Sequence, residues 1–418
     1  MPYPPDSPFV YRDGELACEG VALSAVAAAV ETPVYVYSHA DLLARAGAVL
    51  SAAREATGDN ALVCYAVKAN GNPVLLRLLC ETGLGADVTS GGELFLALHA
   101  GIAPRRIIFS GVGKKATEIA AALQAGIRAL HVESEMELAA VASVAERLGL
   151  VAPVGVRVNP NISAATHPYI STGLHGHKFG VPRDRAVAML RQAAAHRWLQ
   201  PVGLATHIGS QITDLDPFVQ SVDFLLELAD EMGREGIRLE YVDAGGGLGI
   251  DYQGAVPAAA EWVQTVGPRI AAAGYELVVE PGRSIVGRAG ALLTRVVYTK
   301  AQGDKQFVIA DAGMTDLIRP TLYQAHHPIA PVAERPGAPV VVDLVGPICE
   351  SSDFLARERL LPPLEPGDLL AVLHAGAYGY AMSSNYNGHL RPAEVLVEGD
   401  SFRVIRRRQT YDDLLSGT

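Results

Sequence analysis

Cysteine is scarce in this chain and never paired. The four cysteines, Cys18, Cys64, Cys80 and Cys349, stand far apart in 418 residues with no CxxC pair among them. That spacing excludes a disulfide framework and a zinc ribbon, and it is the usage of a reducing compartment. Long apolar runs are missing too: no stretch reaches the ~20 residues that a membrane-spanning helix needs. The opening MPYPPDSPFVYRDGE lacks the basic segment and adjoining apolar core of a secretory signal. A cytoplasmic protein is the expectation. Positive charge is also in deficit, since the formal net charge is -11 and the basic residues cluster only at Arg406, Arg407 and Arg408. Nucleic acid is therefore not the expected partner, nor is a membrane. There is no internal repeat and no low-complexity tract.

What is present is an ordinary globular composition, 49% hydrophobic and 19% charged, in a chain long enough for two domains. Between about residues 35 and 285, short Val- and Ile-rich runs alternate with Ala- and Leu-rich helical segments. The strand candidates are ALVCYAVKAN at 61, GADVTS at 85, RIIFSG at 106, ALHVES at 129, PVGVRVNP at 153, LATHIGS at 204, YVDAGGG at 241 and ELVVEPGR at 276. Helices such as GGELFLALHAG, ATEIAAALQAG and SEMELAAVASVAERLG lie between them, several ending in glycine as helix stops often do. Eight strand and helix units in series predict an α/β fold, a (β/α)8 TIM barrel over residues 36–288. A doubly wound sheet is the structural alternative. Past residue 290 the pattern becomes short alternating strands broken by Pro and Gly. Residues 289–418, joined by 1–35, are expected to form an all-β domain.

Lys68 interrupts the first strand candidate. A buried ammonium without a partner is costly, so a lysine there is paired with a carboxylate, is held neutral, or escapes to solvent along its stem. Held neutral, it is a nucleophile able to form a Schiff base with a carbonyl compound or with pyridoxal phosphate. In a barrel of this kind the site gathers at the C-terminal ends of the strands. Those ends carry Lys68 on the first, Asp87 on the second, His207 and Ser210 on the sixth, Gly245, Gly246 and Gly247 on the seventh, and Glu280, Gly282 and Arg283 on the eighth. The GGGLGI run is not a dinucleotide fingerprint, because Ile250 stands where GxGxxG needs its last glycine. It is either a tight turn or a turn whose N–H groups approach a phosphate. Glu280 suits a place opposite a pyridine nitrogen, and His207 can stack on a ring.

Together with DAGMTDLIRPTLYQAHHP, GPICESSDFLA and GAYGYAMSSNYNG, the motifs YAVKAN, HIGSQ, GGGLG and EPGRSIVG resemble, in order and over nearly the whole chain, the diaminopimelate decarboxylase family of the alanine racemase-like pyridoxal phosphate enzymes. The resemblance implies pyridoxal 5'-phosphate on Lys68, with His207 stacked on its ring and Glu280 at its pyridine nitrogen. Asp87, Ser210, Gly245 to Gly247, Gly282, Arg283 and Tyr378 complete the cofactor site. It further implies a homodimer in which Cys349 and Glu350 enter the active site from the second subunit.

The implied reaction is decarboxylation of meso-diaminopimelate to L-lysine, with Cys349 as proton donor and Lys68 releasing the product. The non-reacting end of that substrate carries a carboxylate and an ammonium together. Arg283, Arg319, Tyr323 and Tyr378 are the candidates for the carboxylate and Glu350 for the ammonium. A decarboxylase for another diamino acid and an amino-acid racemase are the alternatives on the same scaffold, and a non-catalytic binder is the alternative from another class. No metal is expected: His175 and His177 in HPYISTGLHGHKFG have i, i+2 spacing and no third ligand. His326 and His327 are expected to be ordinary loop residues.

Overall fold

A computed structural model describes residues 7–162 and 178–417, and His175 and His177 lie outside them. The chain divides into two compact units. One comprises Arg45–Ile250 with Ala255–Ser284, the other Met1–Ala44, Asp251–Gly254 and Ile285–Thr418.

The first unit is a closed barrel of parallel strands: Ala61–Ala66, Gly85–Val88, Ile107–Phe109, Ala129–Val132, Ala152–Arg157, Leu199–Ala205, Tyr241–Asp243 and Glu276–Val279. The eight expected strands are all there, and they close in sequence order. Helix boundaries follow local chemistry. Ser90 and Ser134 accept the backbone N–H of Glu93 and Glu137 at 3.2 and 3.1 Å, capping the helices that leave the second and fourth strands. Each such cap is worth about 1 kcal/mol. Gly126 and Gly149 end their helices in the left-handed conformation, at φ 73° and 66°. A side chain there would be strained.

Alternation along the strands explains why chemistry collects at one end. Leu62, Cys64, Ile108, Ala129, Val202, Tyr241 and Val278 form the apolar filling of the barrel. A strand returns to the same face every second residue, so Ile108 is followed by Ser110, Ala129 by His131 and Glu133, Tyr241 by Asp243, and Val278 by Glu280. The barrel is apolar in its lower layer and ionisable above it.

The second unit is built on strands. Phe9–Arg12, Glu15–Cys18 and Val21–Ala22 make a small antiparallel sheet. A nine-stranded sheet runs from Phe354–Leu361 through Val340–Val345, Lys305–Ala310, Gly290–Gln302, Val34–Ser38 and Ala393–Glu398 to Ser401–Arg406. Ile329–Pro331 and Leu369–Val372 complete it beside Gly290–Gln302. Its core includes Phe9, Leu23, Val36, Leu293, Ala371 and Val395. The barrel with a separate strand unit is the fold class expected. Among the described residues no helix is long and apolar enough to cross a membrane.

Candidate active site

Lys68 is placed just past the first barrel strand, in the single helical turn Val67–Ala69, and not in the strand itself. Its Nζ donates to Asp87 Oδ2 at 2.6 Å. Asp87 is fully buried while the lysine side chain is 33% exposed, so the pair joins a buried carboxylate to a partly exposed lysine at the strand ends. Of the outcomes open to a lysine here, pairing with a carboxylate is the one observed. Burial alone would raise the Asp87 pKa, but the charge and hydrogen bond of Lys68 outweigh it and hold the carboxyl below its ordinary value.

His207 stands two residues past the sixth barrel strand, Leu199–Ala205. The N–H of Gly246 donates to its Nδ1 at 3.2 Å, so Nδ1 is an acceptor and the proton is on Nε2. Burial, with Arg157 and Lys68 nearby, pushes its pKa well down. It is a neutral, flat ring of defined tautomer.

The glycine turn is forced by packing. A Cβ on Gly246 would lie 2.1 Å from the carbonyl oxygen of Glu280, and one on Gly247, at φ +105°, 2.1 Å from that of Gly209. The seventh and eighth strands are thus drawn together where Glu280 N–H donates to Gly245 O at 2.6 Å. Gly246→Ala is expected to cost at least about 2 kcal/mol. A denaturant titration with unchanged midpoint would contradict this. Beside the turn, Arg283 Nη2 donates to Ser210 Oγ at 2.9 Å.

Beneath Lys68 lie acids for which the sequence offered Glu280 alone. Oxygens of Asp243 and Glu280 and a ring nitrogen of His131 all fall within 4.8 Å of one another. Ser110 Oγ stands 3.5 Å from Glu280 Oε1 and 3.4 Å from His131 Nδ1, and His131 Nε2 is 2.8 Å from the Tyr241 hydroxyl. Burial, then its acidic neighbours Asp243 and Asp87, raise the Glu280 pKa well above its usual value. Burial likewise lifts Asp243 to about 7, despite the bond it accepts from Gly245 N–H at 2.7 Å. His131 is pushed down to about 3 by burial and is neutral. The three residues also form, among the described residues, a grouping close enough to hold a metal ion, one that the sequence reading did not see.

Arg157 and Glu133 were also missed. Arg157 pairs with Glu133 at 3.2 Å and lies over the ring of Phe179 at 4.9 Å, while Glu133 accepts from the backbone of Gly111 and Gly180 at 3.0 and 2.9 Å. The signal that could have found Ser110, His131, Glu133 and Asp243 is the two-residue alternation past the apolar filling.

The remaining candidates belong to the strand unit. Arg319 opens the turn Arg319–Tyr323 and is 3% exposed, with Tyr323 half-buried at its end. Cys349 and Glu350 lie exposed on the loop between Val340–Val345 and Phe354–Leu361. Cys349 N–H donates to Asn387 Oδ1 at 2.9 Å and the Tyr386 hydroxyl to Glu350 at 3.0 Å, so the SSNYN segment supports this loop. Asp353 ties its base down by accepting from Met314 and Ile348 N–H at 2.6 and 2.7 Å. Tyr378 is half-buried with φ 57°, a left-handed backbone rare for a residue other than glycine. One expectation is corrected: His327 is no ordinary loop residue. It is fully buried, with Nε2 2.7 Å from Arg319 Nη1 and Nδ1 2.9 Å from Leu373 O. A buried imidazole needs partners, and this one has them on both nitrogens.

Residues 44–287 match the family described as pyridoxal-dependent decarboxylase, pyridoxal binding domain. The chain is 48% identical over 410 residues to the diaminopimelate decarboxylase of Pseudomonas aeruginosa, covering 98% of each. It is 46% identical to that of Aquifex aeolicus, over 96% of this chain and 95% of the relative. The crystal structure of diaminopimelate decarboxylase from Helicobacter pylori complexed with L-lysine is similar with a TM-score of 0.88 and 42% identity, over 94% of this chain and 98% of that one.

Proposed function

This chain belongs to the diaminopimelate decarboxylase family of pyridoxal-dependent decarboxylases, and from that premise we propose that it removes carbon dioxide from meso-2,6-diaminopimelate to leave L-lysine, the last step of lysine biosynthesis. The observation that carries the proposal is the Lys68–Asp87 pair at 2.6 Å, set at a mouth shared with His207, Glu280 and the glycine turn. A partly exposed lysine, a neutral ring and a buried acid whose pKa is raised fit pyridoxal 5'-phosphate in three different respects.

The assignments follow from those properties. Asp87 keeps the amine of Lys68 aimed into the mouth. His207 offers a ring face whose tautomer Gly246 fixes. The N–H groups of Gly245 to Gly247, with Gly282, Ser210, Arg283 and Tyr378, take the phosphate end. Glu280 carries a proton that it can hand to a nitrogen base set against it, leaving a carboxylate facing a cation. When bound, the cofactor supplies the electron sink for the carbanion left as carbon dioxide departs. Cys349 holds the proton that quenches that carbanion. Arg283, Arg319, Tyr323 and Tyr378 orient the carboxylate at the end that does not react, and Glu350 the ammonium beside it. Cys349 and Glu350 are exposed on their loop, which suits residues supplied to a second subunit's site in a homodimer. The same reading places the enzyme in the cytoplasm.

Incubating the protein and pyridoxal phosphate separately with meso-diaminopimelate, L-lysine, L-ornithine and L-arginine tests the proposal. Carbon dioxide is expected from the first alone, with L-lysine as product. Turnover of L-lysine or L-ornithine in its place would leave the barrel assignments standing and overturn that of Arg319, because an arginine repels a bare distal ammonium.

A further inference from the structure

Arg319, given the distal carboxylate above, does not set its own orientation. Its Nη1 donates to the Tyr252 hydroxyl at 2.8 Å and meets His327 Nε2 at 2.7 Å. The guanidinium also lies over the Tyr252 ring, 4.8 Å from its centroid, and that ring meets His327 edge-on at 5.1 Å. A guanidinium only donates, so His327 Nε2 must accept. A backbone carbonyl only accepts, so Nδ1, 2.9 Å from Leu373 O, must carry the proton. Neither partner can exchange its role. The imidazole is held neutral and in one tautomer, with no part of it exposed.

We propose that His327 is a positioning residue: by accepting from Arg319 it fixes the plane in which the guanidinium meets the substrate's non-reacting carboxylate, and it does so only as the neutral imidazole. The proposal rests on Arg319 having that carboxylate as its ligand. Bidentate binding demands that the guanidinium plane be set before the ligand arrives, since a side chain free to rotate loses much of the pairing. Protonation of Nε2 would set an N–H against an N–H and one cation against another. The surroundings discourage it further. Arg359 Nη1 donates to the His327 backbone carbonyl at 2.7 Å, His326 stands next in the chain under the same arginine's charge, and His374 lies 6.0 Å from the Tyr252 ring.

The test compares His327→Leu, His327→Gln and Arg319→Gln with the native holoenzyme, using L-lysine and pentane-1,5-diamine as competitive ligands. The two differ by the carboxylate alone. His327→Leu is expected to weaken L-lysine, and raise KM for diaminopimelate, by about tenfold to a hundredfold. It should leave the diamine and kcat within about threefold, whereas a merely structural defect would weaken both ligands. The native enzyme is expected to show a rise in KM toward acid pH, and His327→Gln, whose amide oxygen can take the place of Nε2, is expected to restore L-lysine binding and to lack that rise. If Arg319→Gln leaves L-lysine binding unchanged, the reading of Arg319 fails. If Arg319→Gln weakens it and His327→Leu does not, or if the diamine is lost equally, the positioning role fails while that reading stands. Should His327→Leu not fold, a His327→Gln enzyme that retains the native acid-side rise in KM overturns the proposal.

Discussion

Replacing Lys68 by alanine is expected to abolish the yellow, borohydride-reducible colour that pyridoxal phosphate gives the protein and to lower turnover by about a thousandfold or more. The same change should destabilise the cofactor-free protein, because it leaves Asp87 buried opposite no cation. Breaking a buried pair by removing one partner costs about 3 kcal/mol or more. These two losses have different origins and can be separated. Asp87→Asn in the Lys68→Ala background removes the stranded charge, so the double variant should regain much of its stability while remaining colourless and inactive. Colour that borohydride still fixes to the Lys68→Ala protein would remove Lys68 from its assigned role. A stability loss that persists in the double variant would show that Lys68 acts through packing and not through Asp87.

The strands of the barrel were legible because each is a short run of branched apolar residues between helices with clear stops, and Lys68 was legible because a charge inside such a run is conspicuous. The pairing of Lys68 was not, since Asp87 stands on the next strand and only the closed sheet brings them together. Asp243 illustrates the general difficulty. It lies in YVDAGGG among glycines that draw the eye, and its environment is made by His131 and Glu280 from two other strands. Reading it requires knowing which face of the seventh strand looks inward, and the two-residue alternation from Tyr241 tells this only once Tyr241 is known to fill the barrel. His327 was misjudged for a related reason: a histidine pair before a proline looks like a loop, and it is one, but burial and the guanidinium of Arg319 are tertiary facts. Arg157 was passed over inside PVGVRVNP, where the strand hid its own end. Local pattern reports where an element runs; long-range pairing decides what its last residue does.

Glu280→Gln should move stability and activity in opposite directions. In the cofactor-free barrel the carboxyls of Glu280, Asp243 and Asp87 share their space with the one ammonium of Lys68, and burial with mutual repulsion raises the first two above their ordinary values. A carboxyl whose folded pKa is raised contributes stability that is complete below its unfolded value, about 4 for an acid, and is lost as pH climbs through the folded one. For Asp243 that window ends at about 7, and the raised Glu280 adds a loss of the same sign. The buried neutral imidazoles of His131 and His207 oppose this loss up to about pH 6.5, their unfolded value, so the cofactor-free protein should weaken from about pH 6.5 toward pH 8. A glutamine at 280 keeps the shape without the charge, so its melting temperature should exceed that of the native protein by a few degrees at pH 8, with a flatter pH profile. Turnover should fall by about a hundredfold to a thousandfold, because an amide has no proton to hand to a pyridine nitrogen and no charge to hold it there. Asp243→Asn should share the gain in stability, its amide oxygen still accepting from Gly245 N–H, and lose far less activity, since Asp243 acts behind Glu280. A Glu280→Gln protein that melts lower than the native one at pH 8, with the pH slope intact, would mean that Glu280 is ionised and satisfied in the empty barrel, and that the proton assigned to it resides elsewhere.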